Sequence, residues 1–327
     1  MNAHDLFDEF HEEQENIRME EESCSNPIKE PHSAVLGREV PCALNSQHLG
    51  DMDSKDLVCK GAKYAVSKNL AFLCKIIQNL STLGSTLLFV PEKDQLSACI
   101  YNASTCMFSK TVFKRDFFCE VDSSCLTTPN AGCCISSEAA LNVFKISPEL
   151  LDDIKYMVID TDPSKDFINV MLFGPGSVSE LIKINQLAIR CQLADDSRSR
   201  AGEIFQIVGH VDVWDGFLKR SNKTASAIKL HFKRDRLIVT PGRQKPGTGP
   251  SFSCEISAQS FMKYDIDEEF FLTFDYNEFA IACNIVSRIS KEFVLECVGG
   301  DAPLRMSLYQ PGIVDFEIFL PCELEEC

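Results

Sequence analysis

The 327-residue chain has no apolar run near the ~18 residues that a bilayer-crossing helix requires. Its first 30 residues also lack a basic start followed by a hydrophobic stretch. These absences lead to the expectation of a soluble protein, not secreted and without a membrane partner. Positive charge is scarce too: 32 Lys and Arg stand against 48 Asp and Glu, a formal charge of −16. That balance excludes a protein that coats nucleic acid with its whole surface, because phosphate binding needs matching cations. It leaves room for a local basic face.

Sixteen cysteines raise the question of zinc, but no CxxC occurs, Cys133 and Cys134 are adjacent, and four of the six His lie in the first 60 residues. Structural zinc needs ligand pairs spaced to converge on one ion, and disulfide frameworks belong to small extracellular domains. Free thiols acting as small hydrophobes are expected, with no metal and no cofactor. Nucleotide signatures are missing as well. KPGTGPS (245–251) and FGPGS (173–177) lack the Gly-Lys-Ser/Thr ending of a P-loop. His210, Asp212 and Asp215 are close in sequence, but on a helix His210 and Asp212 point ~200° apart. With no second motif to complete a site, no enzyme is expected.

The charge that is present is unevenly placed. Residues 1–60 hold 14 Asp and Glu against 5 Lys and Arg, a balance of −9 within the total of −16. Their apolar residues follow no regular period, so residues 1–56 read as an acidic, disordered extension.

Regular patterning begins at residue 57. LVCKG (57–61) reads as a short strand, and Val66, Leu70, Leu73, Ile77 and Leu80 then recur at helical spacing over 66–83. Runs at STLLFV, LSACIYN and TCMFSKTVF read as a strand meander. SEAALNVFKI (137–146) reads as a second helix, with Ser137 as cap and Pro148 as end signal. IKYMVID, FINVMLF and SELIKIN complete a first unit. A second unit repeats the order: EIFQIVG, a helix over 210–220, AIKLHF, RLIVTP, SFSCEIS, EEFFLTF, a helix over 276–290, then FVLECV, LRMSLY and VDFEIFLP. The expected fold is therefore α+β, two pseudo-repeated domains each with antiparallel strands and two helices, at 57–190 and 203–327. The polar stretch CQLADDSRSRAG (191–202) has the composition of a connector.

Within this layout, LSTLGSTLLFVPEKDQLSACIYNASTCMFSKTVFKRDFF (80–118) resembles the signature of the Rad-nine family. Leu80, Ser81, Gly84, Pro91, Asp94, Leu96, Asn102, Ser104, Phe117 and Phe118 fit it in order. LNVFK (141–145), FFLTFDYNEFAIACNIV and the closing DFEIFLP add weaker matches. Gln95 stands where the family usually has a turn Gly. The family forms one subunit of the heterotrimeric nine-one-one checkpoint clamp, a sliding clamp related to proliferating cell nuclear antigen.

The resemblance implies a DNA clamp fold and a non-enzymatic nuclear subunit acting in DNA damage checkpoint signalling and repair. Its implied partners are two other clamp subunits, an ATP-driven clamp loader, duplex DNA, and checkpoint and repair proteins. A clamp needs a helix-lined lumen with enough positive charge to hold phosphate without gripping bases. Lys68 and Lys75, with Asn79 on the same side, would supply it from the first helix. Lys145 belongs to the second, Lys219, Arg220 and Lys223 to the third, and Arg288 and Lys291 to the fourth. The ring would close through exposed sheet edges, expected at Val178, Glu180, Ile182 and Ile184 in the first half. In the second half they are expected at Ser251, Ser253, Glu255 and Ser257. Two other readings stay open on sequence alone: a homotrimeric replication clamp, and an acidic adaptor that never encircles DNA.

Overall fold

A computed structural model describes residues 61–102, 106–126, 132–174, 179–187, 205–221, 226–242, 253–297, 303–308 and 312–322. All of them belong to one compact unit, Asp56–Cys327. The acidic extension and the 191–202 connector lie outside the described residues.

The first half runs β1 (Ala62–Val66), α1 (Leu70–Ser81), β2 (Thr86–Pro91), β3 (Leu96–Tyr101), β4 (Phe108–Phe113), a 3-10 turn (Arg115–Phe117), β5 (Glu120–Asp122) and β6 (Cys133–Ser136). It continues with α2 (Ser137–Phe144), α3 (Pro148–Asp153), β7 (Tyr156–Thr161), β8 (Phe167–Phe173) and β9 (Ser179–Asn185). The second half runs β10 (Phe205–His210), α4 (Asp212–Ser221), β11 (Ala227–Phe232), β12 (Arg236–Pro241), β13 (Cys254–Ser257), a 3-10 turn (Ala258–Ser260) and β14 (Lys263–Asp265). It closes with β15 (Phe270–Asp275), α5 (Tyr276–Ile289), β16 (Glu292–Cys297), β17 (Leu304–Leu308) and β18 (Val314–Leu320). The repeat keeps a constant spacing of 143 residues between β1 and β10 (62 to 205), between the 3-10 turns (115 to 258), and between β5 and β14 (120 to 263).

Three antiparallel sheets follow, in the orders β5-β1-β7-β8-β9, β14-β10-β16-β17-β18-β4-β3-β2-β6 and β13-β12-β11-β15. The nine-stranded sheet joins the halves through β18 and β4, with Val314 opposite Phe113 and Phe319 opposite Phe108. Strand alternation explains the pairing: Val314, Phe316, Ile318 and Leu320 are buried while Asp315, Glu317 and Phe319 face out. On the outer side Phe108 and Phe319 sit 5.8 Å apart and Lys114 meets Asp315 at 2.8 Å.

Several local expectations shift. The first strand lies at 62–66, so Val66 ends a strand rather than opening a helix, and residues 57–60 lie outside the described part. AKYAV buries four of its five residues, which hides the alternation that marks a strand. Helix α1 begins at Leu70 because residues 67–69 form a turn, which the Asn69 amide fixes by donating to the Phe117 carbonyl at 2.8 Å. The cap of α2 is Ser136, whose hydroxyl accepts from the Ala139 amide. Ser137 instead donates to the Gly84 carbonyl. Pro148 ends nothing; it opens α3 in the first turn, where its missing N–H costs nothing, behind the cap Ser147.

Adjacent Cys133 and Cys134 point to opposite faces of β6. Cys133 enters the main core, and Cys134 joins Leu88, Val90 and Cys99 in a small cluster on the other face.

Candidate DNA-facing surface and ring edges

Four helices form a row that crosses both halves. The Gln78 side-chain amide of α1 donates to the Phe144 carbonyl of α2 at 2.8 Å. On its other side α1 meets α5, where Arg288 Nη1 lies 3.4 Å from Asn79 Oδ1. Helix α5 meets α4 through Trp214, edge-on to Phe279 at 5.1 Å, and through the Tyr276 hydroxyl, which donates to the Leu218 carbonyl at 2.9 Å. Burial pushes that hydroxyl up to about 12, so it stays a proton donor at every physiological pH. Helix α1 packs on β2 and β3, and α5 on β16, β17 and β18. Helices α1 and α5 thus lie against the nine-stranded sheet, and α5 also packs on β11 and β15 of the four-stranded sheet.

On α1 and α5 the side turned away from the core carries little charge, and that charge is positive, whereas Glu138 on α2 and Asp212 on α4 add exposed acids at the two ends of the row. On α1 the exposed residues are Ala71 and Lys75; on α5 they are Asn277, Ile281, Asn284, Ser287 and Arg288. The only acid in either helix, Glu278, is buried at the first turn of α5, where a carboxylate is favoured by the helix dipole. Such a surface attracts phosphate weakly and offers no base-reading array.

The predicted cations are distributed as follows. Lys75 and Arg288 are exposed on the row. Lys68 is exposed in the turn before α1, Lys145 at the end of α2, and Lys291 in the turn after α5. Lys219 and Arg220 belong to the α4 backbone, but their side chains, and all of Lys223, lie outside the described residues. Asn79 is the correction: it is buried, its side chain donates to the Lys75 carbonyl at 2.8 Å, and it faces Arg288 rather than solvent.

Among the described residues, β9 and β13 each end their sheet. Along β9, Ile184 is buried and Ile182 half-buried, Glu180 is exposed, and Val178 lies outside the described residues. The outward row therefore holds Leu181, Lys183 and Asn185. The alternation of SELIKIN signals this, since two isoleucines two apart mark the core side. On β13, Glu255 and Ser257 are exposed, as is Ser253 just before it, whereas Ser251 lies outside.

The HVDVWDG segment serves packing: His210 ends β10, exposed, and Trp214 is buried on α4. Among the described residues no group of His, Cys, Asp and Glu is arranged to hold a metal, and no helix is long and apolar enough to cross a membrane.

The protein-family model described as Rad9 matches residues 73–320. No curated protein matches the chain by sequence. Among solved structures, the chain is similar to proliferating cellular nuclear antigen from Entamoeba histolytica at a TM-score of 0.63 and 12% identity, covering 81% of this chain and 100% of that one. At that identity the likeness is one of fold: a clamp of antiparallel sheets lined by helices.

Proposed function

This chain belongs to the Rad9 family and has a PCNA-like clamp fold, and from that premise we propose that it is one subunit of a heterotrimeric ring that encircles duplex DNA. In this reading it catalyses nothing. It acts in the nucleus as a platform for checkpoint and repair proteins, and an ATP-driven loader opens the ring around DNA. The clamp domains would be residues 57–190 and 203–327, joined by the 191–202 connector.

The observation that carries the reading is the β4–β18 junction. Within the chain, the last strand of the second half pairs with the fourth strand of the first. The last strand of the first half, β9, and the fourth strand of the second, β13, are its counterparts, and among the described residues both end their sheets. Repeating the internal junction between chains, β9 to β13, extends the sheets from subunit to subunit and carries the helix row around the inside. DNA is then held topologically, so the weak positive charge of Lys75 and Arg288 suffices and the overall acidity is no obstacle.

Co-expression with candidate clamp subunits and mass measurement of the product tests this. A one-to-one-to-one complex that slides off linear DNA but stays on circular DNA is expected. A self-trimer would point to a homotrimeric clamp, and a persistent monomer to an adaptor.

A further inference from the structure

The internal repeat fixes which residue of β9 corresponds to which residue of β18. Lys63 pairs with Asp160 as Gln206 pairs with Glu296, Asp160 with Asn169 as Glu296 with Arg305, and Asn169 with Lys183 as Arg305 with Phe319. Lys183 therefore matches Phe319, Leu181 matches Glu317, and Met171 matches Ser307. On the facing strand, Phe113 pairs with Leu96 as Ile256 pairs with Leu237. The 143-residue spacing then matches Lys110 to Ser253 and Val112 to Glu255.

At the internal junction Glu317 faces Lys110 and is salt-bridged to Arg305 behind it. At that pair the surface is polar, with the Phe108–Phe319 contact next along the same face. At the matching place on the first sheet the surface is apolar. Leu181 is 54% exposed, Met171 lies beside it and Val158 beyond. Phe173 and Tyr156 stack at 4.3 Å next to them, with Tyr156 36% exposed. The fold does not require this shelf, since its repeat puts Glu317, Ser307 and Glu292 at the places of Leu181, Met171 and Tyr156. An apolar shelf starting on the end strand of a sheet marks a surface to be covered.

We infer that β9 accepts a strand from a different clamp subunit, one that places a large apolar side chain opposite Leu181 and covers the shelf of Met171, Phe173 and Tyr156. A second copy of this chain does not fit. In the register of the internal junction its own β13 segment offers Ser253 opposite Leu181, leaving the leucine against a hydroxyl. Leu181 is thus a partner-selecting residue, in the way that opposed side chains choose between strands. The inference rests on the ring reading.

The test measures pairwise binding of the full chain to each of the two other clamp subunits, for wild type, Leu181→Glu and Leu181→Met. Because Leu181 is exposed, both variants should keep the wild-type melting temperature. Leu181→Glu should weaken binding to one subunit at least tenfold while the other subunit, bound through β13, is unaffected. Leu181→Met should stay within about threefold of wild type. If wild type binds both subunits and Leu181→Glu binds them equally well, the inference fails while the ring reading stands. If wild type binds neither, the ring reading itself fails. A stable self-trimer of wild type that survives Leu181→Glu overturns the assignment of a foreign partner.

Discussion

Arg288 on α5 reaches across to Asn79 on α1, Nη1 to Oδ1 at 3.4 Å, so a cation of the second half is steadied by a helix of the first. The contact is made by the guanidinium itself, and a charged group already tethered in this way loses less freedom when it meets a phosphate than an untethered one.

The first prediction follows from that placement. Changing Lys75, Arg288 and Lys291 together to Glu should lower the melting temperature only slightly, through the lost Arg288–Asn79 contact, leave subunit assembly intact and shorten retention on circular DNA. If each cation neutralises one phosphate, the salt dependence of binding should fall by a slope of about 3. Retention and slope equal to wild type would remove the helix row from the DNA-facing role.

Asp162 gives a prediction about pH. It is buried in the turn between β7 and β8. Burial works against its ionisation, but the Ser164 hydroxyl and amide at 2.6 and 3.0 Å outweigh that, helped by Lys165, and hold its carboxyl below the usual range. Its carbonyl also accepts from Gln186, where the chain leaves β9. Asp162→Ala should cost about 1–3 kcal/mol at pH 7. A group whose folded pKa is depressed stabilises above its unfolded value, ~3.9, and loses that contribution as pH falls through the folded value. The gap between urea melts of the two proteins should therefore narrow as pH falls below the ordinary carboxylate value of ~3.9; a constant gap at all pH values would show that the charge is irrelevant.

The cysteines divide by environment. Burial raises the Cys74 and Cys133 thiols to about 12, whereas Cys106, Cys119 and Cys125 are exposed. At pH 8 a thiol of pKa 12 is thiolate in only about one molecule in ten thousand, and the thiolate is the nucleophile. Iodoacetamide on native protein, read by peptide mass mapping, should label the exposed three and reach Cys74 and Cys133 only in denaturant. Labelling of either buried thiol at native rates would mean that the core opens there.

How much of this was legible beforehand depended on the period of each segment. Strands with one wet face, such as FINVMLF and VDFEIFLP, show their alternation in the residues themselves. Strand β1 does not, because Tyr64 and Ala65 are both buried, and β5 and β14 are three residues long, too short for any period. Asn79 read as solvent-facing because a helical wheel knows nothing of the neighbouring helix; only contact with α5 turns that side of α1 inward. Pairing between chains was suggested by element order, but which side chains face a partner needed the register.

The closing Phe pair of the family resemblance leads to the last prediction. Phe117 is buried 4.8 Å from Phe113 and 5.4 Å from Phe118, and Phe118 lies 5.0 Å from Tyr64 on β1. The Phe117 carbonyl also takes the Asn69 hydrogen bond that sets the start of α1. The pair therefore ties β4, β1 and α1 together. Phe117→Ala should cost about 3–5 kcal/mol and Phe117→Leu less, because a leucine refills most of the space. DNA retention should then track the folded fraction: lowering the temperature until Phe117→Ala is as folded as wild type, by circular dichroism, should restore it. A fully folded Phe117→Ala that still fails to stay on circular DNA would mean that the aromatic pair does more than pack, and that α1 needs its fixed starting point to present Lys75.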